Sequence, residues 1–171
     1  MKKSSLKENS IHGTPLFPLQ VYNNKSNRDY HVAYHWHDEL EFIFVEDGVM
    51  EATINSKTIE VNKGEFIFIN SQDLHQVSST GPSTHHAIVF HPQILSFDYP
   101  DISQSTFIKP IIKGELRFPS FFDFEDQLKQ FISEKLVEII TINRTPPPLS
   151  SFRIKIILLE IILILLRKNF F

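Results

Sequence analysis

Apolar and polar residues begin to alternate with period two at Tyr30. Tyr30, Val32, Tyr34 and Trp36 share one parity, and His31, Ala33, His35 and His37 share the other. Successive side chains of a strand point to opposite faces, so this run predicts a strand with a histidine face. Leu40 to Val45 is apolar on both parities apart from Glu41, as expected of a strand covered on both sides. Gly48 turns the chain, and Met50, Ala52 and Ile54 then alternate with Glu51 and Thr53. Asn55-Ser56-Lys57 reads as a hairpin loop, Thr58 to Val61 as the return, and Asn62-Lys63-Gly64 as a further turn. Phe66 to Ile69, His75 to Ser78 and His86 to Phe90 complete the series, with the polar turn Asn70 to Asp73 between the first two. Short strands separated by polar turns about every ten residues predict an all-β sandwich or barrel.

Upstream, Val21-Tyr22 reads as a first short strand and Asn23 to Asn27 as a polar turn. Residues 1–10 read as a disordered tail, and 11–19, with Pro15 and Pro18, as an arm on the surface. Together, residues 1–19 form a tail and arm, 20–98 the barrel, 99–122 a connector, and 123–171 a helical segment. Within the connector, Glu115 to Phe118 is the best candidate for an extra strand. From Asp123, the expected N-cap, the period turns helical: Leu128, Phe131, Ile132, Leu136, Ile139 and Ile140 form one stripe. Pro146 to Pro148 stop that helix, and Ser150 or Ser151 caps the next, Phe152 to about Lys168. That last helix is apolar nearly all round, which predicts that part of it meets another subunit or domain. The chain ends at Phe170-Phe171 without a polar tail, which points to a piece of a longer protein cut just after this helix.

Composition narrows the possibilities. The 171 residues are enough for one domain with a helical appendage, and 42% hydrophobic with 22% charged is ordinary for a globular chain. The absence of cysteine excludes disulfides, thiolate metal sites and cysteine nucleophiles. A formal net charge of -3 disfavours direct nucleic-acid binding by these residues. No secretory signal begins the chain. The Ile154 to Leu166 run is too short to cross a membrane and carries Lys155 and Glu160, so a cytoplasmic location is expected.

The candidate chemistry lies in the strand pattern. His35, His37 and Glu41 share a face, and His75 can meet them from a neighbouring strand. Three imidazoles and a carboxylate are a ligand set for Zn, Fe, Mn or Ni, and equally the polar wall of a small-molecule pocket. His31 shares the histidine face and is expected near the mouth; Trp36 is expected in outer packing. Glu39 shares Glu41's parity, but Asp38-Glu39 reads as a bend, so Glu39 ranks below it. His85 and His86 point to opposite faces, so one at most enters a cavity.

The His35-x-His37, Glu41, Gly48 spacing resembles the first motif of the cupin family, without its opening glycine, which would fall at Asp29. Gly64 and His75 resemble the second motif, with Asn70 and Gln72 where proline and glycine are expected. The string His35-Trp36-His37-Asp38-Glu39-Leu40-Glu41-Phe42, the Gly64-Glu65-Phe66 step, the Phe90-His91-Pro92 end and the helix ending in Arg167-Lys168 resemble the N-terminal domain of AraC/XylS-type transcription regulators. The resemblance implies a mainly β fold, a cupin-type jelly-roll barrel followed by two C-terminal α-helices. It implies a barrel that senses a small molecule, often a sugar, near His35, His37, Glu41 and His75, and helices that dimerise. A divalent transition metal at the same four residues is a candidate cofactor. DNA would be bound only through a region absent from this chain. The alternative is a metal-dependent cupin enzyme: a dioxygenase, isomerase or decarboxylase.

Overall fold

The computed structural model describes residues 3–122 and 124–170. Eight strands form two antiparallel sheets: β1 (Leu19–Ser26), β2 (Tyr30–His35), β3 (Leu40–Asp47), β4 (Val49–Ile54), β5 (Lys57–Asn62), β6 (Phe66–Ile69), β7 (His75–Ser79) and β8 (Ser83–Phe90). One sheet has the order β1-β8-β3-β6, the other β2-β7-β4-β5. This is the all-β sandwich expected from the pattern, in the cupin form that the resemblance implies. A short helix α1 (Lys109–Ile112) and two long ones, α2 (Asp126–Arg144) and α3 (Ser150–Phe170), follow.

The double-sided apolarity of β3 has a direct cause. Ile43 and Val45 face the sandwich interior with Met50, Ala52, Val61, Ile67, Ile69 and Val77. Leu40, Phe42 and Phe44 face outward, where Phe68, Ile88 and Phe90 join them beneath the helices. The helices complete that outer core with Ile132, Leu136, Ile139 and Ile140 from α2 and Ile154, Ile157, Leu158, Ile161, Ile162 and Leu165 from α3. Each buried side chain of this size contributes roughly 1.5–3 kcal/mol. Ion pairs Lys135–Glu160 (2.6 Å) and Arg153–Glu138 (2.7 Å) cross between the two helices.

Gly48 makes the β3–β4 turn at φ +82°, and a Cβ there would lie 2.5 Å from the Pro82 carbonyl oxygen. Only glycine meets both conditions without strain.

Several expectations are corrected. The first strand is longer than Val21-Tyr22: Asn23 to Ser26 pair with β8 through Ser26↔Ser83 instead of turning. Polar side chains suit this strand because it is a sheet edge. The tail is not free from Lys3 on. A helical turn spans Lys3–Leu6, Glu8 N–H donates to the Trp36 carbonyl at 2.9 Å, and Trp36 N–H donates to that of Leu6 at 3.0 Å. Glu115 to Phe118 is not a strand; the Asn70 side chain takes the place of a strand partner, bonding both the N–H and the carbonyl of Phe118 at 2.8 Å. Helix α2 begins after Glu125, and the expected cap Asp123 lies outside the described residues. Helix α3 buries one face in the core shared with α2 and the outer sheet face, and leaves Phe152 and Leu163 exposed.

Candidate functional site

The strict period-two reading of β2 fails at one place, and the site depends on it. The β2–β7 register shifts between Val32 and His35. A bulge of this kind reverses the parity of the residues beyond it. Tyr30 and Val32 therefore line the interior cavity, as do His35 and His37 on the far side of the bulge. His31, expected on the histidine face, is exposed instead. Trp36 points outward as expected, with the Lys7 ammonium 5.1 Å from its ring centre.

Four side chains converge past the bulge. His35 sits opposite His75 in the β2–β7 pairing, with ring centres 4.1 Å apart. His37 comes from the crossover between the sheets, and Glu41 from β3 of the opposite sheet. Glu41 Oε2 lies 3.0 Å from His37 Nε2 and 3.3 Å from His75 Nε2. His37, Glu41 and His75 are buried, and His35 is partly so. Each ring is anchored at Nδ1 by a backbone carbonyl: Ala33 for His35 (2.9 Å), Glu39 for His37 (3.2 Å) and Asp73 for His75 (2.9 Å). Anchoring of this kind fixes a ring's orientation and tautomer and leaves Nε2 available to a ligand.

The electrostatics follow from burial and pairing. For His37, burial lowers the pKa, but the hydrogen bond and charge of Glu41, helped by Glu39 and Glu8, outweigh it and the net shift is upward. For Glu41, burial raises the pKa, and the bonds from His37 and His75 overcome it, leaving the carboxyl well below its ordinary range. His35 is lowered by burial and by the charge of His75. Each partner thus favours the charged form of the other, His37 being shifted upward and Glu41 downward.

The cavity above this cluster has a volume of about 190 Å³. Val32, Ile43, Val77, Ala87 and Val89 form its apolar wall; Tyr22, Asn24, Tyr30 and His85 add polar groups. Two further wall residues, Glu8 and His12, come from the N-terminal arm. His12 is buried and its Nδ1 lies 2.9 Å from the Tyr22 hydroxyl, while the Glu8 carboxylate lies 3.7 Å from both His12 Nε2 and His35 Nε2. Their sequence context, a Lys-rich tail and a proline-bearing arm, gave no sign of this; only the pairing with Trp36 and the contact with Tyr22 place them. Of the His85/His86 pair, His85 enters the cavity. Both of its nitrogens are buried without a hydrogen-bond partner, and its ring packs edge-on against Tyr30 at 4.5 Å. Burial, with the charge of His86, pushes it down to about 4. His86 faces the helical layer, with Glu46 at 2.6 Å and Asn23 at 2.8 Å. Glu39 is not part of the wall.

The profile of the AraC-like ligand binding domain matches residues 18–120. The chain belongs to that family. The AraC-like match covers both sheets and most of the connector. A 73-residue stretch is 37% identical to an uncharacterized HTH-type transcriptional regulator, YdeC, of Bacillus subtilis (strain 168); it spans 42% of this chain and 25% of that regulator. Among solved structures, a cupin superfamily protein from Desulfitobacterium hafniense DCB-2 is similar at a TM-score of 0.41 and 11% identity, over 42% of this chain and 66% of that one. A cupin-2 domain containing protein from Shewanella frigidimarina NCIMB 400 is similar at a TM-score of 0.37 and 20% identity, over 41% and 68%.

The donor set of this AraC-like domain also fits a metal. One ligand atom each from His35, His37 and His75 lies within 4.8 Å of the others, and the Glu41 carboxylate adjoins two of them. Three neutral imidazoles and a carboxylate suit a divalent transition metal. No helix among the described residues is long and apolar enough to cross a membrane.

Proposed function

We propose that this chain is the effector-sensing and dimerisation part of a cytoplasmic transcription regulator, whose DNA-contacting region lies outside these residues. The observation that carries the reading is the cavity. It joins a polar floor at His35, His37, Glu41 and His75 to an apolar wall, and a segment of the arm forms part of it. Pockets of mixed lining with a few convergent polar groups are the usual form of a small-molecule site. Capture of a small polar molecule, such as a sugar, would change how the arm and the barrel pack. In the whole regulator that change would bias the DNA-binding region through a homodimer formed by the C-terminal helices.

Thermal melting of the chain against a panel of sugars, polyols and small acids tests this. A ligand that raises the melting temperature of the parent, and not that of a His75→Ala variant, is the expected result. No shift with any compound counts against it.

One observation favours a second reading, a metal-dependent enzyme of the cupin type. All three imidazoles are pre-oriented at Nδ1, as in metal sites with a built outer layer. Elemental analysis separates the two. Stoichiometric Fe, Mn, Ni or Zn that disappears in His75→Ala supports the metal centre.

A further inference from the structure

The turn from Asn70 to Asp73 stands where the cupin-like motif expects proline and glycine, and it is built differently. Asp73 N–H donates to the Asn70 carbonyl at 3.0 Å, which closes a four-residue turn. Gln72 takes φ +65°, a conformation that favours glycine and strains any residue with a Cβ. Two bonds hold it there. Its N–H donates to the His37 carbonyl at 2.8 Å, and its side-chain amide donates to Asp38 at 3.1 Å. At the other end of the turn, the Asp73 carbonyl accepts from His75 Nδ1. One turn therefore holds the backbone of His37 and the ring of His75.

The connector grips the same turn from outside. The buried Asp73 carboxylate accepts from Arg117 Nη2 at 2.6 Å and from the Asn70 backbone and side-chain amides at 3.2 Å. It also accepts from the Asn55 side chain. Arg117 Nη1 donates to the Ser71 carbonyl at 3.1 Å. Asn70 holds both backbone groups of Phe118, and Phe68 N–H donates to the Ser120 carbonyl at 3.1 Å. Phe118 is itself buried in the core shared by the outer sheet face and the helices. A continuous set of bonds runs from the imidazoles, through the turn, to the residues that lead into the helical layer.

We propose that Arg117 is a positioning residue for the cavity: through Asp73 it fixes the turn that orients the His75 ring and holds the His37 backbone, and it makes that turn the route by which a change in the cavity reaches the connector. The proposal rests on the reading of the cavity as a binding site. It replaces the rigid Pro-x-Gly turn with one whose stability depends on a side chain from outside the barrel.

Hydrogen-exchange mass spectrometry on the 171-residue chain tests it without knowledge of the effector. Four proteins are compared: the parent, His75→Ala, Arg117→Ala and the double variant. In the parent background, His75→Ala speeds exchange across 115–120 by about fivefold or more. In the Arg117→Ala background the same substitution moves 115–120 severalfold less, the Asn70–Phe118 bonds carrying what remains, while 74–79 still responds. The Arg117 side chain is 43% exposed, so its truncation is compatible with folding; Arg117→Lys, which keeps one charged donor, restores part of the transmitted response. Equal acceleration of 115–120 with and without Arg117, or none in the parent background, overturns the proposal. Failure of the underlying cavity reading would show separately, as an empty ligand screen beside an intact exchange cycle.

Discussion

Glu41 Oε2 and His37 Nε2 face each other at 3.0 Å across the gap between the two sheets. His37, raised from 6.5, stabilises the fold below its unfolded pKa, and that contribution is lost as pH rises through its folded value. Glu41, lowered from 4.5, contributes above its unfolded pKa, and that is lost as pH falls through its folded value. Both contributions are complete between 4.5 and 6.5. Glu41→Gln should therefore cost most in that window, about 3 kcal/mol by urea denaturation, and less above the folded pKa of His37. The His37 ring, followed by NMR, should then titrate lower than in the parent. A cost that does not vary between about pH 5 and pH 9 would refute the pairing.

His85 acts in the opposite sense. With its pKa pushed from 6.5 down to about 4, the unfolded chain takes up a proton that the folded chain refuses. Stability at this position is complete above 6.5 and falls as pH drops toward 4, by about 3 kcal/mol at most. Denaturation of the parent and His85→Leu at about pH 7 and pH 4.5 checks this. The variant should lose less on acidification, and parallel losses would exclude a buried neutral ring.

The β4–β5 hairpin is strained at its tip. Asn55 and Ser56 take φ +47° and +72°, the signature of a turn that favours asparagine followed by glycine. Ser56→Gly should stabilise the chain by about 1 kcal/mol, seen as a rise in melting temperature of roughly 2–4 °C. A fall would mean that the serine side chain does something beyond filling the turn.

Assembly turns on what α3 leaves uncovered. Leu163 is 51% exposed, beside a groove of about 250 Å³ lined by Phe97, Phe107, Leu159 and Leu166. Sedimentation of the parent at tens of micromolar should show a dimer, and Leu163→Lys should shift it to monomer without lowering the melting temperature of the monomer. A monomeric parent would confine α3 to its role in the core.

The two sheets were legible in the sequence because short strands alternate with polar turns; β4 and β7 show period-two burial, and β3 and β6 are apolar on both faces because each face meets a core. The convergence of His35, His37, Glu41 and His75 was legible from the motif spacing, although Glu41 reaches the cluster from the opposite sheet and not along one strand face. His31 was misplaced because a bulge has no signature in a single sequence. Glu8, His12 and His85 were missed or left undecided because their place depends on tertiary contacts, with Trp36, Tyr22 and Tyr30, that no local pattern encodes. The apolar circumference of α3 was legible from its composition; which part of it joins the core shared with α2 and the outer sheet face depends on tertiary packing.

The irregularity between Val32 and His35 also makes the site a matter of reading frame. Removing one residue there would restore simple alternation and swing both imidazoles of the His-x-His pair out to water. The hydropathy of the barrel would hardly change, and its strands would still pair. Loss or gain of this chemistry is thus open to a single-codon deletion, a step that tallies of ligand residues alone would not register.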